Sequence, residues 1–197
     1  MADNDRLARA LAAIDAANAD DPITIEVGGE VRPKELAHAE MMTTWVRRLD
    51  PAADDAQVLA ARAHHLRRWT SPRSDFPDGR AGYLRWRAAL RRRHAADVSA
   101  LLGEVGYDPA TIERVRTIVA KEGLGRDPAV QTHEDALCLV FLQTQLDALA
   151  AQLGDDKTID VLRKTAVKMS DRALAEAAVL PFSPTGRALV ERALAAG

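Results

Sequence analysis

The chain has almost no cysteine, few aromatic residues and no long apolar run, and each shortage removes a class of protein. A single cysteine, Cys138, in 197 residues excludes an internal disulfide framework. Aromatic residues make up 4% against a hydrophobic total of 47%. That balance, rich in alanine, suits closely packed helices rather than a sandwich of β-branched and aromatic strands. No apolar stretch approaches the roughly 20 residues of a membrane-spanning helix, and no charged start leads into an apolar run of the secretory type. A cytoplasmic location, away from any membrane, is the expectation. A Gly-rich phosphate loop, a His-Glu-x-x-His zinc motif, a Gly-x-Ser-x-Gly elbow and a Cys-x-x-Cys pair are all missing.

What is present is an uneven distribution of charge. The formal net charge is −2, yet the window from Arg62 to Arg93 holds ten arginines against Asp75 and Asp78, a local charge of +8 that leaves −10 for the remainder. Basic charge gathered in this way suits an anion: a nucleotide, a phosphoester or an RNA end. Arg91, Arg92 and Arg93 also fit a solvated face, and Arg62 fits a simple ion pair with Asp54, Asp55 or another acid. Arg68, Arg73, Arg80 and Arg87 differ because they surround the Pro/Gly loop from Ser71 to Gly79, next to Phe76 and Tyr83. Planar guanidinium groups bind phosphate bidentately, and Tyr83 is placed to orient it.

The pattern of caps, breakers and apolar spacing predicts an all-α fold, one compact multi-helix domain spanning residues 1–197. Helices are expected from Asp5 to Ala17 with Asn4 as cap, from Pro33 to Leu49, from Asp54 to Trp69 and from Gly82 to Val105. Further helices are expected from Pro109 to Glu122, stopped by Gly123, from Gln131 to Leu153, and over 157–169, 171–179 and 184–195. Ile23, Ile25 and Val27 alternate before Gly28-Gly29, so residues 22–32 read as a short hairpin or an extended loop.

Four ionisable residues fall on apolar helix faces, where a charge is costly without a partner. His38 shares a face with Met42, Trp45 and Leu49, and His65 aligns with Val58, Ala61 and Trp69, whereas His64 is rotated away. His94 continues the stripe of Leu90, Val98 and Leu101, and Asp135 begins a series through Leu139, Leu142, Leu146, Leu149 and Leu153. Three imidazoles and a carboxylate form a sensible ligand set for a divalent transition metal, whether iron, manganese, zinc or nickel. Each histidine also has a structural role open to it, bonded to a carbonyl or carboxylate, and Asp135 could cap a helix or meet an arginine. Cys138, inside the most apolar helix, reads as a core residue.

The segments Ala63-His64-His65-Leu66-Arg67-Arg68-Trp69, Gly79-Arg80-Ala81-Gly82-Tyr83-Leu84-Arg85-Trp86-Arg87, Glu134 to Leu142 and Leu162-Arg163-Lys164-Thr165 together resemble the bacterial and fungal family of the domain of unknown function 4202. More distantly the chain is similar to the HD superfamily of helical metal-dependent phosphohydrolases, whose pattern is a histidine, a His-Asp doublet and a distant aspartate. His38, His64-His65 and Asp135 fall in that order, which implies metal ligation by His38, His64 or His65 and Asp135, to which the inward face of the fourth helix adds His94. The doublet here is His-His, so the resemblance departs at its second carboxylate. Glu134 is the candidate replacement beside Asp135 in catalysis, although helical phase turns it away from the leucine stripe.

The expected function is an HD-like, metal-dependent phosphohydrolase acting on a small phosphoester or nucleotide. Two alternatives stay open. One is an HD-like iron oxygenase, favoured by the histidine doublet. The other is a non-catalytic, arginine-lined protein that binds a nucleotide, RNA or an acidic partner.

Overall fold

Side-chain caps and small apolar residues set where each helix begins and how closely it packs. In the computed structural model, which describes residues 2–195, α1 (Ala2–Ala19) leads into an antiparallel hairpin of β1 (Thr24–Val27) and β2 (Glu30–Pro33). Gly28 and Gly29 take positive φ angles of 62° and 83°, the left-handed pair that a tight two-residue hairpin turn requires. The hairpin reading of residues 22–32 therefore holds. Arg32 donates to both oxygens of Glu40, at 2.7 and 2.8 Å, fastening the hairpin to the next helix.

The remaining elements are α2 (Lys34–Leu49), α3 (Asp55–Arg62), α4 (Gly79–Val105), α5 (Pro109–Ala120), α6 (Pro128–Thr144), α7 (Leu146–Leu153), α8 (Asp155–Ala166), α9 (Asp171–Ala178) and α10 (Pro184–Leu194). The domain is mainly α, as the composition implied. Asp108, Asp127, Ser170 and Ser183 each accept from first-turn amides of α5, α6, α9 and α10, and Asp54 and Gln57 form a reciprocal capping box on α3. No single helix among the described residues is long and apolar enough to cross a membrane.

The apolar side chains collect into two clusters. Ile14, Leu59, Val98, Leu102, Val115 and Ile118 join α1, α3, α4 and α5. Met42, Trp45, Leu139, Leu142, Leu162 and Leu189 join α2, α6, α8 and α10. Arg62 pairs with Asp15 at 2.5 and 2.6 Å, tying α3 to α1, so the expected simple ion pair forms with an acid other than Asp54 or Asp55.

Several boundaries depart from the sequence reading, and α4 and α6 begin three residues before the expected Gly82 and Gln131, at Gly79 and Pro128. Helix α1 begins before Asn4, so Asn4 is inside the helix and not its cap, and its side chain lies outside the described residues. Pro33 closes β2 and directly precedes α2. The third helix stops at Arg62, because Arg67 turns left-handed (φ 50°) while its amide donates to Asn18 Oδ1 at 3.0 Å. Residues 63–67 form turns, followed by a 3-10 turn over Arg68–Thr70. The expected helix from Gln131 to Leu153 breaks at Gln145 into α6 and α7, which diverge by 66°. The run of leucines is therefore not one stripe.

Gly82 sits where the 71–79 loop folds back against α4. A Cβ there would overlap the backbone carbonyl of Pro77, and a backbone oxygen cannot swing aside as a side chain does. Gly82→Ala is expected to destabilise the fold by about 1–3 kcal/mol, read as a lower urea midpoint with an unchanged slope.

Candidate anion and metal site

Between the two apolar clusters lies a cavity of about 440 Å³, lined by α2, the turn after α3, α4, the end of α5, α6 and α8. Its construction begins at the C-terminal end of α1. Asn18, fully buried, holds the Arg67 turn that carries His64 and His65. Asp21, also buried, accepts from the amides of Ile23 and Glu35, at 2.9 Å each, and so sets the start of α2 and the position of Glu35.

Glu35 is the centre of the wall. Its Oε2 lies 3.0 Å from His65 Nδ1 and 3.7 Å from His38 Nδ1. Burial disfavours ionisation of Glu35, yet the imidazoles of His65 and His38 outweigh burial and hold the carboxyl well below its usual range. Arg68 Nη1 lies 2.9 Å from His65 Nε2. A guanidinium only donates, so Nε2 accepts, and Nδ1 carries the proton and donates to Glu35. Thr144 Oγ1 meets His38 Nε2 at 3.2 Å.

Glu35, His38 and His65 each offer a ligand atom, all within 4.8 Å of one another, and no other such group of three exists among the described residues. Metal–ligand distances of about 2.1 Å in a tetrahedron place neighbouring donors about 3.4 Å apart. The 3.0 and 3.7 Å separations from Glu35 straddle that value, so two imidazoles and one carboxylate are near enough to share a metal ion once His65 Nδ1 gives up its proton.

His64 and His94 line the same cavity. His94 Nδ1 donates to the Leu66 carbonyl at 3.1 Å, leaving Nε2 a bare, buried acceptor without a partner. His64 Nδ1 meets His133 Nε2 at 2.7 Å, and His64 Nε2 is likewise unpartnered. Burial lowers the pKa of His65 and His133 to about 3 and of His94 to about 4, and holds His64 well below the ordinary imidazole value.

Seven lysine and arginine side chains line the cavity against two carboxylates, Glu35 and Glu134. Lys121, left-handed at the end of α5 (φ 58°), forms a close ion pair with Glu134, and Lys168 approaches the same carboxylate at 3.8 Å. Burial lowers the Lys121 pKa. Arg87 contacts the Tyr83 hydroxyl at 3.2 Å, and Arg68 lies over the Trp86 ring at 5.1 Å.

The structure brings together His38, His64, His65, His94, Glu134, Arg68, Tyr83 and Arg87, and separates three other candidates from them. Asp135 does not face the histidines. Its carboxylate accepts from Gln131 Nε2 at 2.9 Å and from the Ser170 amide and hydroxyl at 2.9 and 2.6 Å, latching α6 to the start of α9. Arg73 donates to the carbonyls of Phe76 and Pro77 and so braces its own loop, while Arg80 is exposed away from the cavity. His64, set aside by helical phase, is more buried than His65 because neither residue is on a helix. Glu35, Lys121 and His133 escaped the sequence reading. Glu35 stands three residues before His38, the spacing that puts both on one helical face, and that was the available signal.

The family model described as Domain of unknown function (DUF4202) matches residues 8–190. No curated protein and no solved structure matches the chain.

Two outcomes follow from this geometry. An imidazole whose folded pKa lies below its unfolded value of about 6.5 binds fewer protons folded than unfolded. Its stabilising contribution is complete above that unfolded value and is lost as the pH falls toward the folded one, by up to about 1.4 kcal/mol per pH unit. Unfolding free energy should therefore fall on acidification from about pH 7 to about pH 5, less steeply in His133→Gln. Parallel pH profiles for the two proteins would contradict this assignment. Asp135→Ala strands the Ser170 amide and should cost about 2–4 kcal/mol of stability, while ligand binding at the cavity stays unchanged.

Proposed function

The chain belongs to the family described as Domain of unknown function (DUF4202), and we propose that it is a metal-dependent, HD-like hydrolase of a small anionic phosphoester. The observation that carries this reading is a strongly basic cavity whose wall holds the Glu35, His38 and His65 donor set. Basic residues draw in and orient the phosphate. Carboxylate and imidazole donors suit iron, manganese, zinc or nickel.

A divalent transition metal held by Glu35, His38 and His65 would act as a Lewis acid and lower the pKa of water at neutral pH. Arg68 and Arg87 bind phosphate oxygens, with Tyr83 steering Arg87 through its hydroxyl. His94, kept neutral by burial and held in one tautomer by Leu66, has Nε2 free to accept a proton from the attacking water. The water oxygen bonds to phosphorus, the ester P–O bond breaks, and the alcohol departs with a proton from solvent. Glu134 keeps Lys121 charged in the cavity wall.

His65 has one lone pair to give. Arg68 now holds it at Nε2, so metal ligation through Nδ1 requires the other tautomer and the departure of Arg68 toward the anion. The same donor set is that of non-haem iron oxygenases, which keeps oxygen chemistry as the second reading.

Elemental analysis of purified protein beside Glu35→Gln and His38→Ala tests the proposal. Near-stoichiometric metal should be present or loadable in the parent, with affinity reduced at least about 100-fold in folded variants. Phosphate release from para-nitrophenyl phosphate or nucleotides should fall in parallel. Bound iron with turnover only under oxygen and reductant would favour the oxygenase. Protein that cannot be loaded with any of the four metals would overturn both readings and leave an arginine-lined binding domain.

A further inference from the structure

The cations around the cavity come from both halves of the molecule. On one side α4, packed against α1 and α5, presents Arg87 and Arg91. On the other α8, packed against α7 and α10, presents Lys164, and the turn after it Lys168. Arg87 and Arg91 are spaced four residues apart on α4, the separation at which side chains stand above one another.

These groups lack counter-ions. Among the described residues Arg87, Arg91, Lys164 and Lys34 have no ion-pair partner, and Arg87 bonds only the Tyr83 hydroxyl. Lys168 shares Glu134 with Lys121, which is closer. Charge from Arg87 reaches Lys121 and adds to the lowering of its pKa. Like charges gathered around one space repel unless an anion stands between them.

The size of that space narrows the choice. At about 440 Å³ the cavity falls in the range of sites for small organic ligands, far larger than one phosphate group needs. A single phosphate on Arg68 and Arg87 would leave Lys164 uncompensated. We infer that the cavity takes a diphosphate, with one phosphate held by Arg68, Arg87 and Arg91 and the other by Lys121, Lys164 and Lys168. The ligand then bridges the two halves of the domain. This deepens the phosphoester reading by naming its substrate class, and it rests on that reading only for the chemistry that follows binding.

Binding is measured by calorimetry on the full chain in EDTA, so that neither metal nor turnover enters. The probes are inorganic phosphate, pyrophosphate, AMP and ADP. Pyrophosphate and ADP should each bind at least about 10-fold more tightly than phosphate and AMP. Lys164→Ala, at an exposed position that preserves folding, should weaken pyrophosphate and ADP about 10-fold and leave the preference for two phosphates much reduced. Arg87→Ala should weaken all four probes. Equal affinity of the parent for one and two phosphates would overturn the inference, as would Lys164→Ala having no effect or acting equally on all probes. Failure to load metal, with the diphosphate preference intact, would sink the hydrolase reading alone. Metal-dependent hydrolysis without that preference would sink this inference alone.

Discussion

The site depends on keeping one carboxylate, Glu35, ionised inside the protein. An isolated buried carboxylate costs several kcal/mol, so it survives only where donors surround it. Here His65 and His38 face it directly, and Arg68 stands behind at 3.9 Å. Those donors arrive from different segments, and each is fixed by a further polar contact. Asp21 sets the first turn of α2, Asn18 sets the Arg67 turn, and Thr144 meets the far nitrogen of His38. The left-handed backbone at Arg67, a conformation costing on the order of 1 kcal/mol for a side chain with a Cβ, accompanies the turn that brings His65 to that carboxylate.

The second buried carboxylate solves the same problem differently. Glu134 is answered by Lys121, which is also left-handed at a position where glycine would relieve the backbone. A residue retained against its backbone preference points to its side chain as the reason, and that side chain lines the cavity. Of the two left-handed non-glycine residues in the described chain, Lys121 lines the cavity itself and Arg67 closes the turn that carries His64 and His65. The cavity lies where two apolar clusters meet and neither can fill the gap with its own residues. Polar groups that either half alone would expose to solvent are there turned toward each other.

Much of this architecture was legible in the sequence. The helix starts at Asp54 and Asp108, the Gly28-Gly29 turn and the inward faces of His38 and His94 followed from local rules, whereas the cap at Asp127 escapes a pattern that starts that helix at Gln131. The basic window did point to the cavity through Arg68, Arg87 and Arg91. What failed was the assumption that a helical pattern continues. The third helix ends at Arg62 because Asn18, far away in sequence, captures the Arg67 amide, and no local signal reports that. The same error carried the leucine stripe of Asp135 past the end of α6 at Gln145; Asp135 is buried as its helical face implied, but it turns to Gln131 and Ser170 and not to the histidines. Its true partner, Ser170, is 35 residues away, in a contact set by tertiary packing. The cations of α8 were invisible for a similar reason: Lys164 and Lys168 lie outside the arginine window and join it only in space.

His65 links the two chemistries of the site through a single proton. While Arg68 donates to Nε2, the imidazole must donate from Nδ1, and the Glu35 carboxylate receives that bond. The three groups form a closed chain in which every polar atom between Arg68 and Glu35 is satisfied. Whatever draws Arg68 away leaves Nε2 without its donor and lifts the constraint on the tautomer. Arg68 faces Glu35 on one side and the cationic cavity on the other, and its pKa is lowered by burial and by Arg87 while Glu35 opposes both. An anion in the cavity offsets the repulsion from Arg87 and competes with Glu35 for the guanidinium. With an anion bound as proposed, the protonation pattern of the Glu35, His38 and His65 cluster would be coupled to occupancy of the cavity by electrostatics and hydrogen-bond direction, with no movement of the helices required.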